Sequence, residues 1–308
     1  MEKIYDMIII GGGTGGYTAA HYGSRAGISL MVIEKLSAGG QMALSPMIDN
    51  YPGFDEGIDG FSLGQKMLAG AERFGAQTLL AEVTGLELSA PVKTVRTTEG
   101  DFESRTVILS TGADPKNLGL PNEEALVGRG VSHCAACDGM FYKGKTVVVV
   151  GGGNTAAADA LQLSRICEKV IIVHRRDTLR ATKVYHQPLL VAPNVEFHWN
   201  SAVTELLQNG RLTGVKVRNL LTGEEQEIAA DGIFVSIGRK PNSYLVQGQL
   251  ELDEAGYIVA GESTATSLPG VFAVGDVRTK NVRQIVTAAA DGAVAAHYAE
   301  EYLASLQQ

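Results

Sequence analysis

Two glycine loops, opening 140 residues apart at Gly11 and Gly151, constrain this chain more than any other feature. Residues 4–10 read as a short buried strand running into Gly11-Gly12-Gly13-Thr14-Gly15-Gly16. The pattern then predicts a helix over 14–26 and a second strand over 29–33, closed by Glu34. The same order returns at 146–150, a β-branched strand entering Gly151-Gly152-Gly153-Asn154-Thr155-Ala156. A helix over 154–167 and a strand over 170–173 follow. Strand, G-x-G-x-x-G or G-x-G-x-x-A loop, helix and strand make a dinucleotide-binding unit. Its recurrence predicts two copies of one module.

Glycine lets the backbone turn tightly and approach a diphosphate closely. The helix that follows offers free N–H groups and the positive end of its dipole. Candidate contacts are therefore Gly11, Gly13, Thr14, Gly15 and Gly16 in the first copy, and Gly151, Gly153, Asn154 and Thr155 in the second. The copies differ 23 residues past their first glycine, where one has Glu34 and the other His174 followed by Arg175, Arg176 and Arg180. A carboxylate at that slot accepts hydrogen bonds from an unmodified ribose. Guanidinium forks suit a phosphate instead. The first module thus reads as a site for FAD or NAD and the second as a site for NADP. The alternative for the arginine run is a solvated loop carrying ordinary surface charge.

Each module continues into β-rich sequence with a closing run, 106–113 in the first and 232–239 in the second. Pro115 and Pro241 mark the exits from these strands, because proline drives the preceding residue out of the helical region. A further apolar run over 270–276 ends in Gly275-Asp276, and a helix is predicted over 285–303. This tail reads as returning to the first module. The expected division is 1–114 with 245–308 for the first domain, and 115–244 for a second domain inserted into it.

His133-Cys134-Ala135-Ala136-Cys137-Asp138-Gly139 lies just before the second loop. Two intervening residues let the sulfurs meet across one helical turn, where a pair can close a disulfide and a thiolate can be stabilised. A zinc site needs about four ligands. The third cysteine, Cys167, falls in a predicted helix, and the six histidines form no H-x₃₋₅-H pair, so no metal is expected. Two small buried cysteines are the plainer alternative. Asp138 suits a proton donor to a departing thiolate, or a helix cap.

Three cysteines, an odd number, argue against a secreted disulfide framework. No basic leader with a long apolar stretch is evident, nor a run of about 18 apolar residues, so a cytoplasmic protein without a membrane span is expected. A net charge of -8 argues against general nucleic-acid binding.

The order G-x-G-x-x-G, C-x-x-C-D-G, G-G-G-N-T-A, H-R-R-x-x-x-R and a late V-G-D resembles the bacterial low-molecular-weight thioredoxin reductases over essentially the whole chain. Gly39-Gly40-Gln41, Asn50-Tyr51-Pro52-Gly53 and Arg283-Gln284-Ile285 match as well. The resemblance implies an α/β fold of two Rossmann-like dinucleotide-binding domains of the three-layer ββα type, the second inserted into the first. It implies FAD along the first module, touching Gly13, Glu34, Gly40, Gln41, Asn50, Gly112, Gly275, Asp276, Arg283, Gln284 and Ile285. Asp276 would hold the ribityl chain, and Gln284-Ile285 would meet the flavin ring. NADPH would use Gly153, Asn154, Thr155, His174, Arg175, Arg176 and Arg180.

Electrons would pass from NADPH through FAD and the Cys134–Cys137 disulfide to oxidised thioredoxin. In the family the second cysteine, here Cys137, faces the flavin; the first, here Cys134, attacks the substrate disulfide; Asp138 matches the acid. Members are usually homodimers and rotate one domain against the other. Ala136 stands where threonine is frequent, and Glu34 where some relatives lack an acid. Relatives that use ferredoxin or a second flavin tend to lack the arginines. Competing readings are a reductase of a glutaredoxin-like carrier and a flavin-binding redox sensor. The two nucleotide modules with C-x-x-C weigh against the sensor.

Overall fold

Period-two alternation in the strand Ile4–Ile10 sends its side chains into two different layers. In the computed structural model, which describes residues 3–306, Ile8 and Ile10 enter one core while Met7 and Ile9 enter another. Met1, Glu2, Gln307 and Gln308, the outermost residues of the expected first domain, lie outside the described residues. The chain divides into two units, one built from residues up to Asp114 and from Lys240 onward, the other from Pro115–Arg239.

In the first unit five parallel strands run in the order Gln77–Leu80, Leu30–Glu34, Ile4–Ile10, Gly100–Leu109, Val271–Ala273. The long strand Gly100–Leu109 changes partners along its length. Its first half pairs antiparallel with Lys93–Thr97, and its second half pairs parallel with Val271–Ala273. Helices Thr14–Arg25 and Ile285–Ser305 cover one face through Tyr17, Ala19, Ala20, Ala295 and Ala299. Leu86, Val95, Val246, Leu250 and Ile258 cover the other.

The second unit repeats this plan. Its parallel sheet runs Val195–His198, Lys169–Val173, Thr146–Val150, Gly232–Val235, Val131–Ser132. Val147, Val149, Ile172 and Phe234 face the helix Asn154–Leu163. Val148, Val150, Ile171 and Val173 face an antiparallel sheet of Ser201–Gln208, Leu212–Asn219 and Glu225–Ala229. Strands buried on both faces read as unbroken apolar runs, which is why 146–150 and 170–173 stand out in the sequence. Both units are therefore Rossmann-like α/β stacks of helices, parallel sheet and antiparallel strands.

Two boundaries differ from expectation. Residues 240–244 associate with the first unit, because Asn242 donates its N–H to Gly112 O at 3.0 Å and its side-chain amide to Thr111 O at 3.1 Å. The helix expected to reach 167 ends at Leu163, where the Asn194 amide takes the carbonyls of Ser164 and Cys167 at 2.9 and 3.0 Å. Among the described residues, no helix is long and apolar enough to cross a membrane.

Candidate active site

Each glycine loop is shaped by its first residue. Gly11 sits at φ +100° and Gly151 at φ +144°, and a Cβ at either would overlap the carbonyl of Ser110 or Ser236. Gly13 and Gly153 begin the following helices with no side-chain cap, no acidic residue in the first turn, and nothing within 4 Å of an added Cβ. Unsatisfied N–H groups at a helix start are an anion site. Open space beside an uncapped glycine therefore fits the diphosphate of a dinucleotide in both units.

Glu34 is fixed at the mouth of the first loop. Its Oε2 accepts the Gly12 N–H at 2.6 Å and its Oε1 the Leu36 N–H at 2.9 Å. A carboxylate has about four acceptor positions, so two remain for a ribose diol. Gly39 donates to Gly12 O at 2.8 Å, which brings Gly40 and Gln41 to the loop, and Gln41 Nε2 donates to Asp114 Oδ1 at 2.8 Å. Asn50 Nδ2 donates to Gln284 Oε1 at 3.1 Å, joining residues 234 positions apart. Ile285 packs with Met42, Ile48 and Leu63. Gly112 stands at φ +70° beside Asn242. Asp276 is half-buried in the turn Gly275–Val277, and the Arg283 guanidinium lies 4.1 Å from the Tyr257 ring centre.

Two of the expected contacts also serve packing. An added Cβ on Gly15 would press on Ala288 O at 3.2 Å, so this glycine serves the close helix–helix crossing. Thr14 Oγ1 is buried and donates to Met42 Sδ at 3.4 Å.

Sequence reasoning missed the buried Asp291. It accepts the Gly275 N–H at 2.8 Å, Lys280 Nζ at 2.7 Å and Arg278 Nη2 at 2.7 Å. Burial pushes its carboxyl up, but Arg278 and Lys280 outweigh burial and hold it below the usual carboxylate range. Nothing local in the sequence pairs residues 278, 280 and 291.

In the second unit the arginine segment is tied to the glycine loop. Gly152 O accepts the N–H groups of Arg180 and Ala181 at 2.7 and 3.0 Å, and Asn154 Oδ1 accepts that of Thr182 at 2.8 Å. Arg175, Arg176, Arg180 and Thr155 are exposed. His174 is not: its ring lies against Gly152 and meets Trp199 edge-on at 6.3 Å. Burial pulls its pKa down, and Arg180 adds to this, so the ring is neutral and serves as a floor for the loop.

Cys134 and Cys137 form a disulfide, with Cα atoms 5.3 Å apart, across the helical turn Ala135–Asp138. Cys134 Sγ accepts the Cys137 N–H at 3.2 Å; Cys137 is exposed and Cys134 half-buried. Such a donor stabilises a thiolate at that sulfur once the bond opens. Asp138 follows directly, half-buried, with Ser132 Oγ donating to its Oδ2 at 2.6 Å. Burial pushes its carboxyl up and Ser132 pulls it back in part. His133 is pulled down by burial. Cys167 is buried and its thiol is pushed up to about 11, which keeps it protonated and inert.

A family model described as pyridine nucleotide-disulphide oxidoreductase matches residues 5–292. The chain belongs to this family. It is 46% identical to a thioredoxin reductase of Streptomyces clavuligerus, over 99% of this chain and 96% of that one. It is 43% identical to a thioredoxin reductase of Bacillus subtilis, over 100% and 97%. A crystal structure of thioredoxin reductase from Streptococcus pyogenes matches with a TM-score of 0.92 at 40% identity, over 99% of this chain and 100% of that chain. This disulfide oxidoreductase works with a flavin and a pyridine nucleotide, and Cys134–Cys137 is its redox disulfide.

Proposed function

We propose that the chain reduces thioredoxin with NADPH through FAD, as a homodimer in the cytoplasm. The observation that carries this reading is the Cys134–Cys137 disulfide, with the half-buried Asp138 beside it, in the unit whose glycine loop is tied to Arg180. Bound FAD, reduced by NADPH, would supply the electron pair for the disulfide. The first loop and Glu34 would hold the adenosine diphosphate half of FAD, and Asp276 and Gln284-Ile285 its flavin end. Arg175, Arg176 and Arg180 select NADPH by its 2′-phosphate, which NADH lacks.

The sulfurs divide the work as the resemblance suggests. Cys137 would be the sulfur that faces the flavin, and Cys134 the one that attacks the thioredoxin disulfide. Two electrons break the S–S bond. Asp138 gives a proton to one sulfur, and the Cys137 N–H stabilises Cys134 as the thiolate. That thiolate forms a mixed disulfide with thioredoxin, releasing one thioredoxin sulfur. Cys137 then gives its proton to the released thioredoxin sulfur, displaces the second sulfur, which takes a proton from solvent, and restores the disulfide.

Anaerobic titration with NADPH, followed by visible absorption, tests this. A yellow protein that takes up more than one electron pair per chain before full bleaching supports flavin and disulfide in series. A yellow protein that NADPH cannot bleach contradicts the arginine assignment. A protein that stays colourless after FAD is added back contradicts the cofactor assignment.

A further inference from the structure

We propose that Ser132 is a positioning residue for the proton step, its one hydroxyl holding Asp138 against the backbone of the redox pair. This rests on the reading of Asp138 as the acid. Ser132 ends the strand Val131–Ser132 and is 3% exposed. Its Oγ donates to Asp138 Oδ2 at 2.6 Å and accepts the Cys134 N–H at 3.1 Å; Cys134 O lies 3.5 Å from the same oxygen.

A hydroxyl has one proton and two lone pairs. With Asp138 ionised, that proton goes to the carboxylate. With Asp138 protonated, the carboxyl donates to Ser132 Oγ, and the hydroxyl proton turns toward Cys134 O. The Cys134 N–H stays bonded in both states. Ser132 thus keeps Asp138 in place while its proton leaves for a cysteine thiolate and returns from solvent. An alanine would lose both bonds, and no water readily replaces a hydroxyl this deeply buried.

Among the described residues of the oxidised protein, the titratable groups facing Asp138 are His133 and Tyr142, joined on reduction by the thiols of Cys134 and Cys137. Burial pulls His133 down and pushes Tyr142 up, so both are neutral near pH 7. The helix Asn154–Leu163, packed against this turn, presents Gln162, whose Nε2 donates to Ala135 O at 3.3 Å. In the oxidised protein the proton on Asp138 is therefore set mainly by burial, which favours the acid, against Ser132, which favours the carboxylate.

The test compares S132A and S132T with the parent holoenzyme. The Asp138 carboxyl is titrated by carbon-13 NMR, assigned with D138N, and the pH profile of kcat/KM for thioredoxin is recorded. Losing a hydrogen bond to a carboxylate raises its titration by about one pH unit. S132A is expected to show that rise, with the alkaline limb of the profile following it. S132T is expected to restore both, and S132A added to D138N to change the profile no further. An unmoved Asp138 titration in folded, flavin-loaded S132A overturns the proposal, as does an S132A effect that persists in D138N. If S132A does not fold, S132T and S132V repeat the comparison, differing in the hydroxyl at nearly equal shape. A D138N enzyme as fast as the parent refutes the acid assignment itself, a result distinct from an unmoved titration.

Discussion

Replacing Arg180 by alanine separates a nucleotide-selecting arginine from surface charge. The backbone N–H of Arg180 is bonded to Gly152 O at 2.7 Å, and alanine retains that bond, so the loop keeps its path. Only the guanidinium is lost. A hydrogen bond to a charged group contributes about 1.5–3 kcal/mol, and an exposed one falls toward the lower figure. At about 1.4 kcal/mol per factor of ten, kcat/KM for NADPH should fall roughly tenfold. NADH, which has no 2′-phosphate, should be used within about twofold of the parent rate. Salt should erode the parent's preference, because the Debye length falls from about 8 Å at 0.15 M to about 3 Å at 1 M. The assay is steady-state kinetics with both nucleotides at two ionic strengths. Parallel losses for NADPH and NADH would refute the reasoning. So would an unchanged preference after Arg175, Arg176 and Arg180 are all replaced.

Four other tests concern the glycine loop, Asp291 and Cys167. Gly11→Ala combines φ +100° with overlap on the Ser110 carbonyl, and should cost about 1–3 kcal/mol in denaturant melts. Gly13→Ala meets nothing within 4 Å and should leave apo stability within about 0.5 kcal/mol while abolishing flavin retention; normal flavin content would count against the diphosphate cradle. Asp291→Asn leaves Arg278 and Lys280 uncompensated and should destabilise by about 3–5 kcal/mol. The folded pKa of Asp291 is depressed, so its contribution is present above the unfolded value of about 4 and is lost as pH falls further. Urea melts of parent and variant should therefore converge in acid, and a constant gap down to pH 2 would contradict this. Cys167, pushed up to about 11, should be invisible to Ellman's reagent at about pH 8 in the native oxidised protein and appear as one thiol per chain on denaturation; rapid native labelling would contradict its burial.

The repeat was legible because glycine spacing and unbroken apolar runs are backbone requirements that leave a local trace. Glu34 and His174 could be located by counting, and the arginines by their charge. The burial of His174 could not, because Trp199 and Gly152 cover it from other elements. The helix end at Leu163 depends on Asn194, some 30 residues later, which no local pattern reveals. Gly15 fits the glycine fingerprint, yet its lack of a side chain is required by Ala288, far along the chain. Ser132 and Asp291 had no motif to mark them; each acts through hydrogen bonds that exist only once the chain is folded.

The partner change along Gly100–Leu109 has a consequence for how the chain is made. Synthesis proceeds from the N-terminus, and the inserted unit has every strand of its sheet once Gly232–Val235 emerges. The first unit begins earlier yet waits for Val271–Ala273 to complete its sheet and for Ala295 and Ala299 to cover Met7 and Ile9. The unit started first is thus the last to close. A chain that stops before residue 270 would carry a finished inserted unit beside an apolar sheet face with part of its cover missing. Exposed surface of that kind is what chaperones and proteases act on, so the late closure makes incomplete chains distinguishable from finished ones.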